Sequence, residues 1–237
     1  PVNDAPFLLT PISDVSFLED SFYANINLSD NFYDVDNETL IYTYTVNNSN
    51  VLVDINQDLV NISSILNWNG EAELNFNASD GVLSASYTIT VTVTAINDAP
   101  LLDLTDLSGR TLNEDSYNDT INLNNYTYDV DNSLSEINYG CFTNISNVSA
   151  DANNESKILN LSAFNNFFGP VLVTCTAFDP EMLTDTDSFI LEIISVNDPP
   201  VFNPISNQEI NEDTPSTFSI SAHDVEGNTL IYEIESD

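Results

Sequence analysis

A short motif recurs three times along this chain and divides it into units of similar length. The motif is Asn-Asp-Ala-Pro or Asn-Asp-Pro-Pro, preceded by valine or isoleucine, and it occupies residues 2–6, 96–100 and 196–200. The spacings are 94 and 100 residues (2 to 96 and 96 to 196), about the length of one small domain. An Asn-Asp turn followed directly by proline interrupts both helices and central strands. The motif therefore predicts a junction between tandem repeats.

The length of the chain fits two full repeats and part of a third. We expect repeats at 1–97, 98–197 and 198–237, the last one incomplete, within a segment of a longer polypeptide. Hydrophobic residues make up 42% of the 237 residues, so each full repeat can bury a core.

Alternating apolar and polar residues predict strands throughout the chain. In residues 87–94 one face carries Tyr, Ile, Val and Val and the other carries four threonines, which is typical of a half-buried strand. Residues 74–78 repeat the pattern, and in residues 22–28 it places Phe22, Ala24, Ile26 and Leu28 on one face. With no helical period and strands every eight to twelve residues, we expect an all-β fold: tandem seven-stranded Greek-key β-sandwiches, two complete and one partial.

The charge balance restricts the partners of the chain. Only Arg110 and Lys157 are basic, against 38 acidic residues, which gives a formal charge of −36. The chain lacks the basic surface that neutralises phosphates, so nucleic acid and anionic membrane surfaces are excluded as partners. So dense a negative charge is solvated, screened or neutralised by bound cations. Cations are therefore the predicted partners.

Two cysteines and many glycosylation sequons favour an extracellular location. Cys141 and Cys175 lie on the inward parity of two predicted strands, so a disulfide is expected, with two buried free thiols as the alternative. Such a bridge would close a loop of roughly 35 residues and contribute about 3–4 kcal/mol. No apolar run is long enough to insert in a membrane, and no signal peptide is present in this segment. The eleven sequons begin at Asn27, Asn37, Asn47, Asn61, Asn77, Asn118, Asn125, Asn144, Asn147, Asn154 and Asn160.

Acidic motifs stand at matching offsets in each repeat. A Glu-Asp pair is followed by an acid-Val-acid turn, with 15 residues from the Glu to the first acid in the two full repeats (19 to 34 and 114 to 129) and 12 in the third (212 to 224). The full repeats add an aspartate at a later turn, Asp80 and Asp179. The recurrence favours a shared role over isolated solvated turns, which remain the alternative because Asp and Asn favour turns in any protein.

This order of motifs resembles the cadherin extracellular repeat, and more closely the cadherin-like tandem repeats of microbial surface proteins. In that family, a Glu on the first strand, an Asn-Asp linker and two aspartate turns hold calcium between successive domains. The resemblance implies a cadherin/Ig-like sandwich and three sets of ligands. For the boundary between the first two repeats the set is Glu19, Asn97, Asp98, Asp129, Asp131 and Asp179. For the next boundary it is Glu114, Asn197, Asp198, Asp224 and Glu226, and for a boundary with an upstream repeat it is Asn3, Asp4, Asp34, Asp36 and Asp80.

The ligand set is smaller than the family's. Ala95 and Ser195 replace the first linker aspartate, and Ala99 and Pro199 replace the second linker asparagine. The family's Leu-Asp-Arg-Glu motif has no acidic counterpart. We therefore expect one or two Ca²⁺ ions at each boundary, bound by carboxylate and carbonyl oxygens with dissociation constants of roughly 10⁻⁴–10⁻³ M.

Two other functions fit parts of the pattern. Paired carboxylates serve glycosidases, but a catalytic pair occupies one cleft whereas these acids recur at every boundary, so we expect no enzyme. Phe164, Phe167 and Phe168 could form an aromatic platform for glycans, as in accessory modules of secreted proteins. The favoured function is a calcium-rigidified array at the cell surface, a stalk, filament or sheath, whose partners are Ca²⁺, neighbouring repeats, and identical chains or surface glycans.

Overall fold

The computed structural model describes residues 2–36, 39–164 and 166–235. Contacts within the chain divide it into two compact units, Pro1–Asn97 (unit 1) and Asp98–Asp237 (unit 2). The expected third repeat, 198–237, falls inside unit 2 in this division, and its status as a separate domain stays a prediction. Among the described residues, no helix is long and apolar enough to cross a membrane.

Unit 1 is a sandwich of two β-sheets. Its strands are β1 Phe7–Leu8, β2 Val15–Leu18, β3 Phe22–Asn27, β4 Phe32–Tyr33, β5 Ile41–Val46, β6 Val51–Asn56, β7 Leu59–Ser64, β8 Gly70–Ser79 and β9 Ser84–Thr94. The strand orders are β2-β9-β8-β5 and β3-β7-β6, with β1 and β4 forming a separate pair and a 3₁₀ turn at Leu28–Asp30. Only β2 runs parallel to its neighbour, β9; the other described pairs are antiparallel.

The core of unit 1 follows the predicted alternation in its long strands. Leu74, Phe76 and Ala78 on β8 are completely buried, and Ile89 and Val91 on β9 face the same core. Their neighbours along each strand are polar and partly or fully exposed. The all-β prediction is confirmed in both units.

The predicted face of residues 22–28 is wrong at its start. The pairing of β3 with β7 shifts between Tyr23 and Ile26, so an irregularity interrupts the period of two. Phe22 is 66% exposed, whereas Tyr23 packs against the core and Ile26 is buried. The bulge exchanges the two faces of the strand halfway along it.

Unit 2 repeats the sandwich. Its strands are β10 Leu101–Leu102, β11 Arg110–Asn113, β12 Tyr117–Asn122, β13 Thr127–Tyr128, β14 Asn138–Thr143, β15 Val148–Asn153, β16 Ile158–Ala163, β17 Gly169–Phe178, β18 Thr184–Ile194, β19 Val201–Phe202 and β20 Ala222–His223. The sheet orders are β11-β18-β17-β14 and β12-β16-β15, with pairs β10-β13 and β19-β20 and 3₁₀ turns at Thr105–Leu107 and Leu123–Tyr126.

The disulfide prediction is confirmed. Cys141 and Cys175 are bonded, and they stand directly opposite each other on the paired strands β14 and β17. Cys175 is completely buried and Cys141 packs against the same core. The equivalent cross-strand pair in unit 1 is Tyr44 and Phe76, so the bridge stands where unit 1 has a pair of aromatic residues.

The chain beyond residue 198 has little regular structure among its described residues. The only strands there are β19 and β20, and most side chains of residues 203–221 are exposed. Two turns nevertheless attach this segment to the end of the unit 2 sandwich, and they carry acidic residues.

Candidate metal centre

Glu114 is fixed at the point where the polypeptide leaves the unit 2 sandwich. β11 runs parallel to the end of β18, and the Glu114 N–H continues this pairing by donating to the Ile194 carbonyl at 3.0 Å. The following Asp115 has φ +58, a left-handed conformation that aspartate tolerates, so the chain turns away at once. The Glu114 side chain is 1% exposed, and its Oε1 accepts a 2.7 Å hydrogen bond from Val196 N–H. One carboxylate oxygen is therefore occupied and the other, Oε2, is left over.

Asp198 and Glu226 are held together by the junction itself. The Asp198 N–H donates to Glu226 Oε2 at 3.1 Å, and the turn that carries Glu226 is closed by Gly227 N–H donating to the Asp224 carbonyl at 3.2 Å. Asn228 donates from its backbone to Asp224 Oδ1 at 2.9 Å and from its side chain to Asn197 Oδ1 at 2.8 Å. These bonds fix the acid-Val-acid turn against the Asn-Asp junction.

Three carboxylates meet at this boundary. One oxygen from each of Glu114, Asp198 and Glu226 lies within 4.8 Å of the other two. Glu114 Oε2, Asp198 Oδ2 and Glu226 Oε1 are shielded from solvent and have no hydrogen-bond donor among the described residues. Buried carboxylate oxygens are normally paired, so three neighbouring carboxylates that each keep one buried oxygen without a donor call for a cation or protons.

The electrostatics of the cluster point the same way. The pKa of Asp198 is raised above its usual value, first by desolvation and then by the negative charges of Asp115, Glu226, Glu114 and Asp224. Both causes disfavour the ionised carboxylate. A divalent cation placed among these oxygens would reverse the second cause.

The same backbone contact occurs at all three junctions. The N–H of the junction aspartate donates to the second acid of the acid-Val-acid turn: Asp4 to Asp36 at 2.8 Å, Asp98 to Asp131 at 2.8 Å, and Asp198 to Glu226 at 3.1 Å. In the full repeats, the second acid in turn donates its N–H to the first, Asp34 or Asp129. The recurring offsets in the sequence thus correspond to one recurring turn.

The residues predicted for the boundary between the first two repeats belong to different units. In unit 1, Glu19 is 3% exposed and its Oε1 accepts from Ile96 N–H at 2.9 Å, as Glu114 does from Val196. In unit 2, Asp129 Oδ2 is buried without a donor, and Asp179 is 1% exposed and accepts from Leu183 N–H. Asn97 is the last residue of unit 1. A shared site for this set stays a prediction.

The upstream set lies together at the start of unit 1. Asn3 Nδ2 donates to Asp80 Oδ2 at 2.9 Å, and Asp80 Oδ1 accepts from Val82 and Leu83 N–H, which lowers the Asp80 pKa. Asp34 is 4% exposed and its Oδ2 is buried without a donor. Two of these features recur within unit 2: Asp129 Oδ2 is buried without a donor, as Asp34 Oδ2 is, and Asp179 accepts from Leu183 N–H, as Asp80 does from Leu83 N–H.

Sequence reasoning missed three residues at these turns. Asp115 was noted as part of a Glu-Asp pair but was not predicted as a site residue, although its charge acts on Asp198. Asn228 was not predicted, although it fastens both Asp224 and Asn197. Asn132 donates to Asp129 Oδ1 at 2.7 Å. Each lies one or two residues from a predicted ligand, so a search of the flanking positions would have found them.

The predicted glycan and aromatic sites are placed as follows. Of the sequon asparagines, Asn37 lies outside the described residues; Asn77, Asn154 and Asn160 donate their Nδ2 to Thr43 Oγ1, the Tyr139 carbonyl and the Asp151 carbonyl. Phe164 and Phe168 are 53% and 49% exposed, whereas Phe167 packs against the core of unit 2. Glycosylation and glycan binding both stay predictions.

Comparisons with known proteins identify cadherin ectodomains among the similar structures. The chain is similar to human protocadherin-24 EC1-2 (17% identity, TM-score 0.49, covering 82% of this chain and 100% of that one). It is also similar to Drosophila N-cadherin EC1-4, with 17% identity and a TM-score of 0.47 over 81% of this chain and 50% of that one. A third similar structure is an endo-fucoidan hydrolase from glycoside hydrolase family 107, with 18% identity and a TM-score of 0.37 over 81% of this chain and 29% of that one. It thus spans half or less of the last two chains.

No protein-family model matches the sequence, and no curated protein matches it. The similarity to solved structures is too low to carry functional evidence. The microbial type of repeat named from the sequence stays a prediction. The functional evidence is therefore the arrangement of this chain's own carboxylates.

Proposed function

We propose that this chain is an extracellular, non-catalytic array of β-sandwich repeats whose boundaries bind Ca²⁺. The observation that supports it most is the convergence of Glu114, Asp198 and Glu226, each with a buried carboxylate oxygen that lacks a donor. The three residues come from the end of a sandwich, the junction and the following turn. An ion held by all three would tie these segments together.

The donor set suits a hard divalent cation. All three candidate ligand atoms are carboxylate oxygens, the type that Ca²⁺ prefers at roughly 2.3–2.6 Å, so two oxygens on one ion are separated by at most about 5 Å. The separations within the cluster, up to 4.8 Å, are compatible with a single ion. Backbone carbonyls and water would complete six to eight ligands.

The structural and extracellular part of the proposal has separate support. The Cys141–Cys175 disulfide is typical of oxidising compartments, and eleven sequons are compatible with secretion. The candidate metal residues recur at intervals set by the repeat. A rigid spacer at a cell surface uses such a site at every junction, whereas an enzyme needs one cleft.

Calcium titration by isothermal calorimetry tests the metal part. We expect binding with a dissociation constant of roughly 10⁻⁴–10⁻³ M, and weaker or no binding of Mg²⁺, which demands a more regular geometry. The Glu226→Gln variant should lose the binding event of its boundary, and Glu155→Gln, an exposed residue of the β15–β16 hairpin, should not. Absence of calcium binding in the unmodified chain would refute the proposal.

Small-angle scattering with and without EGTA tests the mechanical part. Unliganded carboxylates repel one another, so the junctions should flex without Ca²⁺ and the distribution of distances should narrow when it is added. A maximum dimension and a distance distribution that do not respond to Ca²⁺ would leave a metal-binding protein without the proposed rigidification.

A further inference from the structure

Unit 1 contains an open pocket, and side chains fill the equivalent space in unit 2. The pocket has a volume of about 550 Å³ and lies between the turn that follows β3, the strand β5 and the β6–β7 hairpin. Phe32, Leu40 and Tyr42 supply apolar walls, and Asp58 supplies a carboxylate. Asp34 adds a second carboxylate at the wall.

The sequences of two loops beside the pocket differ in length between the units. The first acid of the turn stands six positions before Leu40 in unit 1 (34 to 40) and eight positions before Ile137 in unit 2 (129 to 137). The β6–β7 hairpin turn of unit 1 has two residues (57–58), whereas the β15–β16 turn of unit 2 has four (154–157). Leu134, from the longer first loop, packs against the core of unit 2.

Lys157 of unit 2 and Asp58 of unit 1 occupy the same backbone position. Each immediately precedes the next strand, and each carbonyl accepts from the corresponding leucine, Asp58 O from Leu28 N–H at 2.8 Å and Lys157 O from Leu123 N–H at 2.9 Å. The two side chains have opposite charge. A residue that supplies a cation in unit 2 is therefore an anion in unit 1.

In unit 2 the longer hairpin closes the equivalent space. Lys157 is 8% exposed, and its ammonium donates to the carbonyl of Ile137, the counterpart of Leu40. Asn154 binds the backbone of Tyr139 through both atoms of its amide, at 2.7 and 3.2 Å. As a result Tyr139 is 2% exposed, whereas its counterpart Tyr42 remains partly exposed at the pocket.

The pocket of unit 1 therefore resembles the surroundings of the Lys157 side chain in unit 2, but none of the residues that line it carries an ammonium group. Its walls are aromatic and aliphatic, which suits a hydrocarbon stem. Asp58 of this wall occupies the backbone position that Lys157 has in unit 2. Tyr42 and Asp58 line the same pocket, and the pKa of the Tyr42 phenol is raised first by burial and then by the charge of Asp58. Aromatic faces beside carboxylates favour organic cations, and the charge of −36 concentrates cations near the chain.

We propose that this pocket of unit 1, lined by Phe32, Leu40, Tyr42 and Asp58, binds a primary alkylammonium group, supplied by a free amine or by the lysine side chain of another protein. Within residues 1–237 the only lysine is Lys157, which is buried in its own unit, so this part of a second copy does not supply the group. The proposal does not rest on the proposed calcium function, although Asp34 at the pocket wall is also a predicted calcium ligand.

Amide NMR spectra of the full chain, saturated with calcium at about 0.15 M salt, test the proposal. The probes are n-butylammonium and Nα-acetyl-lysine N-methylamide. We expect saturable shifts of Leu40, Tyr42 and Asp58 with a dissociation constant of about 1–10 mM for at least one probe. Tighter binding of the lysine derivative indicates a protein source, and tighter binding of n-butylammonium indicates a free amine.

Two variants and a control separate the pocket from general attraction by the acidic surface. Asp58→Asn should weaken binding about three- to fivefold, the effect of a partly exposed ion pair. Asp58→Lys should abolish it by supplying the ammonium internally, as unit 2 does. Asp54→Asn removes the same charge from an exposed site on β6 and should leave binding unchanged. Equal losses in Asp58→Asn and Asp54→Asn, or shifts that do not saturate with either probe, would overturn the proposal.

Discussion

Replacement of Glu114 by glutamine should have opposite effects in the absence and presence of calcium. In the metal-free protein, Glu114 Oε2 faces two other carboxylates without a donor. Glutamine can keep the 2.7 Å bond from Val196 N–H through its oxygen and turn its NH₂ group toward Asp198 and Glu226. The variant should therefore be at least as stable as the unmodified chain in EGTA, because a repulsion becomes a hydrogen bond.

With calcium bound, the same change removes one of three anionic ligands. A unit charge about 2.4 Å from a divalent ion contributes roughly 3.5 kcal/mol even with the dielectric constant of water, and the amide oxygen retains part of this. We expect a net loss of about 2 to 3 kcal/mol in binding free energy, or roughly 30- to 150-fold in affinity.

Calorimetric titration and thermal unfolding of the same samples measure both effects. Glu155→Gln serves as the control, since it removes an exposed carboxylate from the β15–β16 hairpin. The reasoning would be refuted if Glu114→Gln lowered the melting temperature equally in EGTA and in calcium, because Glu114 would then act only as a structural acceptor for Val196.

Four further outcomes are expected. Calcium should stabilise the protein less at low pH than at neutral pH. The pKa of Asp198 in the folded protein lies above 3.8, so protonation of Asp198 stabilises the metal-free fold at low pH, and this stabilisation is lost as the pH rises. A calcium-induced rise in melting temperature that grows toward low pH would contradict this. The double variant Cys141→Ser, Cys175→Ser should destabilise unit 2 by about 3–4 kcal/mol in denaturant unfolding, because it opens a loop with a separation of 34 residues, and equal destabilisation of unit 1 would contradict it. Asp131→Ala should weaken calcium binding while both sandwiches keep their circular dichroism, and loss of the β spectrum would show a folding role instead. Phe168→Ala should abolish retention on immobilised polysaccharide if the exposed aromatic side chains bind glycans, and Phe167→Ala is the less clean test because Phe167 packs against the core.

The strands were predictable because their apolar and polar side chains alternate. Residues 22–28 are the exception, because alternation carries no information about the partner strand. Residues 74–78 and 87–93 pair without a shift in register, so one period decides which side chains are buried. Residues 22–28 alternate as well, yet the shift in register opposite β7 exposes Phe22. A bulge depends on the partner strand, which the local pattern does not contain.

The candidate metal residues were predictable as a set, but the sequence did not show which of their carboxylate oxygens accept backbone hydrogen bonds. The resemblance to the cadherin repeat, carried by the matching offsets, predicts Glu114, Asp198 and Glu226 as ligands of one boundary. Glu114 follows β11 and has one oxygen bonded to Val196 N–H and the other without a donor, which depends on how β11 pairs with β18. The unit 1 pocket lies beside two loops that are shorter than their counterparts in unit 2, a difference visible in the sequence only when the two repeats are aligned on their turns.

The backbone contact between each junction aspartate and the acid turn that follows it makes the array easy to lengthen. Because Asp98 donates to Asp131 and Asp198 to Glu226, the aspartate of each junction is attached to the repeat downstream of it. Duplication of residues 98–197 would therefore place a new junction and its turn beside the glutamate of the preceding copy. Recombination between repeats would then change the number of repeats, and each new junction would keep its complete set of acidic residues.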